Sequence, residues 1–208
     1  MAAPLDLVLE RHALLRAGGV QDGADAIWLI APDTRRFWDH LSTQPEARDG
    51  KPDRVDRWSH RVLGEIAAET GTVALLPFGG PPWHPFIDWA QRSGTAWPSP
   101  VGPLVHARMG LWLSFRGALR EPGAKMDQPA ASRPCDTCAK PCLTACPVGA
   151  MGHGPYDVAA CRAHVASDEG IACRSGCLVR RACPVGPEFA LPPAQARHHM
   201  QAFLGHRP

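Results

Sequence analysis

All eight cysteines of the 208-residue chain fall between Cys135 and Cys183, with none before them. Clustering of this kind constrains the fold more than any apolar pattern, because thiols gathered so closely are either cross-linked or bound to metal. The first four read Cys135-x2-Cys138-x3-Cys142-x3-Cys146-Pro147, and the second four are Cys161, Cys173, Cys177 and Cys183-Pro184. Each half closes on the same four residues, Cys-Pro-Val-Gly, at 146–149 and 183–186. Two groups of four thiolates, each ending on Cys-Pro, are what two iron–sulfur cubanes require. The stretch therefore reads as a two-cluster electron-transfer module.

Spacing suggests how the ligands divide. Three corners of a cubane can be wrapped by one tight turn of backbone, while the fourth comes from elsewhere; in the bacterial ferredoxin pattern the cysteine before proline serves the other cluster. That logic assigns Cys135, Cys138, Cys142 and Cys183 to one 4Fe-4S cluster and Cys146, Cys161, Cys173 and Cys177 to a second. The chain departs from the pattern in having three residues between Cys138 and Cys142 and in its dispersed second half. Two zinc sites could also use eight thiols, since C-x2-C pairs suit tetrahedral metal, but zinc ribbons rarely close on Cys-Pro. His153 and His164 lie inside the stretch and are expected at the surface or behind the ligands. Lys140, Arg162, Arg174, Arg180 and Arg181 lie close in sequence to the cysteines, where cations can stabilise an anionic cluster or dock an acidic redox partner.

Composition narrows the setting. A net charge of +2 gives no reason to expect a nucleic-acid partner. The N-terminus lacks a cationic region ahead of an apolar core, and no apolar run approaches membrane-spanning length, so a cytoplasmic protein with no membrane partner is expected. In that compartment thiols stay reduced, which favours metal ligands over disulfides.

Upstream, Leu5 to Ala17 carries helical apolar spacing and stops at Gly18-Gly19, predicting a first helix. Ala26–Ala31 predicts a buried strand, Asp33 a helix N-cap ahead of Phe37, Trp38 and Leu41, and Asp53 to Glu69 an amphipathic helix ended by Gly71. Val73–Leu76 predicts a second strand. The proline- and glycine-rich stretch 77–86, carrying Phe78, Trp83 and Phe86 and followed by Trp97, predicts an ordered loop leading to a short helix through Trp89. Leu104–His106 and Leu111–Leu119 predict a hairpin about Met109-Gly110. Residues 1–121 thus form an expected α/β (α+β) domain able to bind a cofactor or a partner, and 122–208 a small ferredoxin-like two-cluster domain, joined by a crossing that includes Pro122, Gly123, Pro129 and Pro134. A terminal helix is expected over Pro193–Leu204. Gly79-Gly80 lacks the context of a phosphate-binding loop.

The order of cysteines, with the lone Ala160-Cys161-Arg162 between the first run and a compact Cys-Cys-Cys-Pro group, resembles the cluster region of epoxyqueuosine reductases and corrinoid reductive dehalogenases. Upstream, His106, Gly110, Trp112, Arg116 and Gly117 look like the H-x-x-x-G-x-W-x-x-x-R-G stretch of the cobalamin-processing methylmalonic aciduria type C family. The resemblance implies a nitroreductase-like N-terminal domain and two 4Fe-4S clusters that feed electrons to a bound cobalamin or other corrinoid, with His106, Trp112 and Arg116 as candidate cofactor-binding residues. Two functions follow as expectations: an electron-transfer protein serving a redox partner, or a corrinoid reductase or processing enzyme that is itself an oxidoreductase, using the Phe78–Trp97 loop and the hairpin as pocket walls.

Overall fold

A computed structural model of the chain describes residues 4–81, 83–127 and 131–206. Contacts divide the chain into two compact units, Met1–Trp97 with Leu113–Ser132, and Pro98–Trp112 with Arg133–Pro208. Pro82 of the proline-rich loop and Pro129 of the crossing lie outside the described residues.

The first unit is mixed α+β. Helix α1 (Leu5–Arg11) leads into β1 (Leu14–Asp22) and β2 (Asp25–Pro32), followed by α2 (Phe37–Ser42), α3 (Pro45–Arg48), α4 (Arg54–Thr70), β3 (Val73–Leu75) and α5 (Phe86–Arg92). Strand β4 (Ala96–Pro98) ends the unit's first passage, and β5 (Leu104–His106) belongs to the second unit. Strand β6 (Gly117–Glu121) returns to the first, giving a four-stranded sheet in the order β1-β2-β6-β3. All three pairings are antiparallel. The predicted strands at 26–31 and 73–76 and the helix over 53–69 are present, the last closed by Gly71 in the left-handed region (φ 71).

The first helix is shorter than its periodicity suggests. It stops at Arg11, Ala13 takes a left-handed conformation (φ 52), and Leu14–Asp22 is a strand rather than a second helical stretch. Pairing with β2 along its whole length, from Leu14↔Pro32 to Asp22↔Asp25, overrides the helical spacing. The two-residue connection Gly23-Ala24, with Gly23 at φ 60, closes that hairpin. Asp33 is no N-cap either. The Phe37 N–H donates to its carbonyl (2.7 Å), while its carboxylate accepts from Arg35 Nε (2.7 Å) and Nη2 (2.8 Å).

Helix α4 explains where the core lies. Its apolar face presents Val55, Trp58, Val62, Leu63, Ile66 and Ala67, and this face packs with Val8, Leu9, Leu14, Ile30, Phe37, Leu41 and Leu119. Trp58 is fully buried and meets Phe37 edge-on at 5.2 Å between ring centroids. In the proline-rich loop Phe86 is buried, but Trp83 stands 68% exposed.

The hairpin predicted about Met109-Gly110 is reduced to one bridge, His106↔Gly110, with its two hydrogen bonds at 2.9 and 3.0 Å. Leu111–Phe115 is not a strand. The His106 ring shows why. Its Nδ1 accepts the N–H groups of both Arg108 and Met109 at 3.1 Å, folding the chain into a tight turn that a ladder cannot extend. The second unit continues with α6 (Val158–Ala166), α7 (Ile171–Arg174), α8 (Leu178–Arg181) and the terminal α9 (Pro193–Phe203). Among the described residues, no helix is long and apolar enough to cross a membrane.

One ion pair ties α3 to α4. The nearly buried Glu46 carboxylate accepts from Arg61 Nε (2.6 Å) and Nη2 (3.1 Å). These bonds hold the Glu46 carboxyl below the usual carboxylate range, against the burial that would raise it. A depressed carboxyl contributes stability above its unfolded pKa, near 4.3, and loses it as pH falls through the folded value. Glu46→Gln should cost about 1–2 kcal/mol in urea unfolding at neutral pH. The difference from the parent should shrink as pH drops below about 4. A pH-independent difference would show that the charge is not what matters.

Candidate metal centre

Short turns, not long elements, carry the cysteines. Cys135 and Cys142 sit in single 3-10 turns, Pro134–Asp136 and Pro141–Thr144, each begun by a proline whose fixed φ suits the turn. Between them Lys140 takes a left-handed conformation (φ 55), and its N–H donates to Cys138 Sγ at 3.2 Å. The Ala150 N–H donates likewise to Cys146 Sγ at 3.3 Å. Cys161 lies in α6, which Asp157 caps by accepting the Ala160 N–H at 2.9 Å. Cys173 lies in α7, Cys177 immediately precedes α8, and Cys183 follows α8 with its N–H donated to the Arg180 carbonyl at 3.2 Å.

Four of the eight face one cavity. Cys135, Cys138, Cys142 and Cys183 line it together with Val105, Leu111 and Pro184, so thiols from both ends of the cysteine stretch meet against an apolar wall. Ionisation of Cys146 and Cys177 would act on the Cys161 and Cys173 thiols by disfavouring their own ionisation. Burial pushes the Cys135, Cys142, Cys161 and Cys173 thiols up from the ordinary range, and neighbouring cysteines push each of them further in the same direction. A cation that replaces the protons relieves both effects. Sulfur donors of this number, set against apolar walls, are suited to soft, thiophilic metal.

Cys183 owes its place to a glycine. At Gly110 (φ 55) a β-carbon would stand 2.1 Å from the Val185 carbonyl oxygen and 3.0 Å from Cys183 Sγ. The turn organised by His106 therefore seats the Cys183-Pro184-Val185 segment by close backbone approach.

His106 is 5% exposed and uses Nδ1 to close the turn, and Trp112 is 4% exposed. Arg116 belongs to the first unit, where it pairs with Asp56 at 3.6 Å and donates its N–H to the Ile30 carbonyl at 2.8 Å. Burial pushes its guanidinium down, with Asp56 opposing. His106 and Trp112 thus share a unit with the cysteines, and Arg116 does not. His153 is exposed and His164 half-buried.

Tyr156 was not singled out by the cysteine spacing. The residue is 42% exposed, and partial burial with Cys161 close by pushes the phenol above its usual range. Its position in Pro155-Tyr156-Asp157, directly before the cap of α6, is the one signal the sequence offers.

Among the described residues, no group of three or more His, Cys, Asp or Glu side chains is drawn tightly enough to hold a metal ion. No family model, curated protein or solved structure matches the chain.

The Gly110 seat can be tested directly. Gly110→Ala should destabilise the protein by about 1–3 kcal/mol and release Cys183. In metal-free protein, alkylation followed by mass spectrometry should show faster labelling at Cys183, with Cys173 unchanged. Unaltered labelling at Cys183 would contradict the seat.

Proposed function

We propose that the chain is an iron–sulfur electron-transfer protein. Cys135, Cys138, Cys142 and Cys183 hold one 4Fe-4S cluster, and Cys146, Cys161, Cys173 and Cys177 hold the other. The observation that carries this reading is the cavity that gathers Cys183 with three cysteines forty and more residues earlier in the chain. Four sulfurs facing a shared space suit a group several atoms across. When bound, the clusters supply one-electron storage at low potential.

The protein's own groups supply the rest. Backbone N–H donors from Lys140 and Ala150 orient the Cys138 and Cys146 sulfurs and offset their charge. Val105, Leu111 and Pro184 give the first group an apolar wall. The acceptor is a redox partner protein or a cofactor held by the first unit, for which the resemblance to corrinoid reductases suggests a nitroreductase-like fold.

A second reading, a corrinoid reductase or processing enzyme, is favoured by the exposure of Trp83 in the loop expected to form a pocket wall. An exposed indole offers a flat apolar surface to a macrocycle. Aquacobalamin added under reducing conditions should then shift its visible spectrum, and Trp83→Ala should weaken the shift. An unchanged spectrum leaves the electron carrier alone.

For the principal reading, protein prepared without oxygen should contain about eight irons and about eight sulfides per chain, four of each per cubane. Zinc in their place would defeat it. Cys146→Ala should impair the cluster held by Cys161, Cys173 and Cys177 and spare the other. EPR showing the opposite loss would overturn the division of ligands.

A further inference from the structure

Gly19 of β1 is covered by a side chain from beyond the end of the sheet. A β-carbon at this position would stand 2.5 Å from Met126 Cε, 2.9 Å from Met126 Sδ and 2.8 Å from Trp28 Cε3. The missing side chain therefore leaves a slot in which the Met126 thioether lies on backbone, beside the indole of the facing residue Trp28. The indole itself is fixed. Its N–H donates to Glu121 Oε2 at 2.8 Å, and the Arg16 guanidinium stands 4.5 Å from the ring centroid.

The segment that carries Met126 belongs to no helix or strand. After β6 ends at Glu121, side chains of the β1-β2 hairpin hold it. The Gly123 N–H donates to Asp25 Oδ1 at 3.0 Å and the Met126 N–H to Gln21 Oε1 at 3.2 Å. Gln21 Nε2 in turn donates to the Ala124 carbonyl at 3.3 Å and the Asp25 carbonyl at 3.0 Å. Met126 is half-buried and lines a surface depression with Val20, Gln21, Arg92 and Asp127, whereas Met109 and Met151 are buried.

We propose that residues 122–127 form a strap latched by Met126 in the Gly19 slot and opened by peroxide. The O–O bond of the peroxide breaks as an S–O bond forms at Met126 Sδ; the sulfur is oxidised by two electrons and the peroxide leaves as water. The sulfoxide oxygen is a strong acceptor set against glycine backbone and an indole whose own N–H is already given to Glu121. The seat is lost, and the bonds to Gln21 and Asp25 open to water. Two electrons and two protons from a dithiol reductant restore the thioether and release water, so the latch is reversible. The strap lies in the first unit, on the chain that leads into the cysteine-bearing stretch, and works whatever the cysteines hold.

The test treats the full chain with hydrogen peroxide and follows it by peptide mapping and hydrogen-exchange mass spectrometry. Met126 should gain oxygen before the buried Met109 and Met151, and the peptide spanning Gly123 to Asp127 should then exchange about tenfold faster. Met126→Leu keeps an apolar side chain of similar size and takes up no oxygen. In the same peroxide it should keep the slow exchange, which separates the latch from damage to the thiols. Met126→Gln, polar and of similar length, should exchange fast with no peroxide present. Methionine sulfoxide reductase with dithiothreitol should return the oxidised parent to slow exchange. Resistance of Met126 to oxidation would overturn the proposal, as would exchange that stays slow once Met126 is oxidised or that quickens equally in Met126→Leu.

Discussion

The close approach of the Val185 carbonyl to Gly110 is the contact on which the cysteine-bearing unit depends. It is possible only where there is no side chain and where the backbone can adopt a left-handed conformation. His106 makes that conformation available by drawing the Arg108 and Met109 N–H groups onto one ring nitrogen. From this follow the position of Cys183, its meeting with Cys135, Cys138 and Cys142, and the apolar wall that Val105 and Leu111 contribute to the same cavity. A thiol separated from its companions by most of the cysteine stretch is brought to them by a segment that contains no cysteine.

The two units solve different physical problems. The first buries one face of α4 and one face of an antiparallel sheet around Trp58, an ordinary apolar core. The second has few regular elements, and those that carry cysteines are single turns or short helices. Backbone held in short turns leaves many N–H groups outside helices and ladders, and sulfur accepts some of them at Cys138 and Cys146.

What could be read from the residues divides along the same line. Helix α4 and strand β2 were legible, because a continuous amphipathic or apolar run leaves little choice of period. Strand β1 was not, since Leu5 to Ala17 carries helical spacing and only the partner strand decides otherwise. The Asp22-Gly23 pair, a strong hairpin signal, was the cue to that strand. That His106 closes a turn is visible only in the structure, where its Nδ1 accepts hydrogen bonds from the Arg108 and Met109 N–H groups.

The path of the chain between the units has an architectural consequence. Residues 98–112 belong with 133–208, while 113–132 belong with 1–97. The cysteine-bearing unit is therefore a discontinuous piece of polypeptide, unlike a ferredoxin that could be appended to or lost from a neighbour by a single recombination event. Any fragment starting after Ser132 would leave behind Val105, His106, Gly110 and Leu111. No single cut in the chain separates the two units.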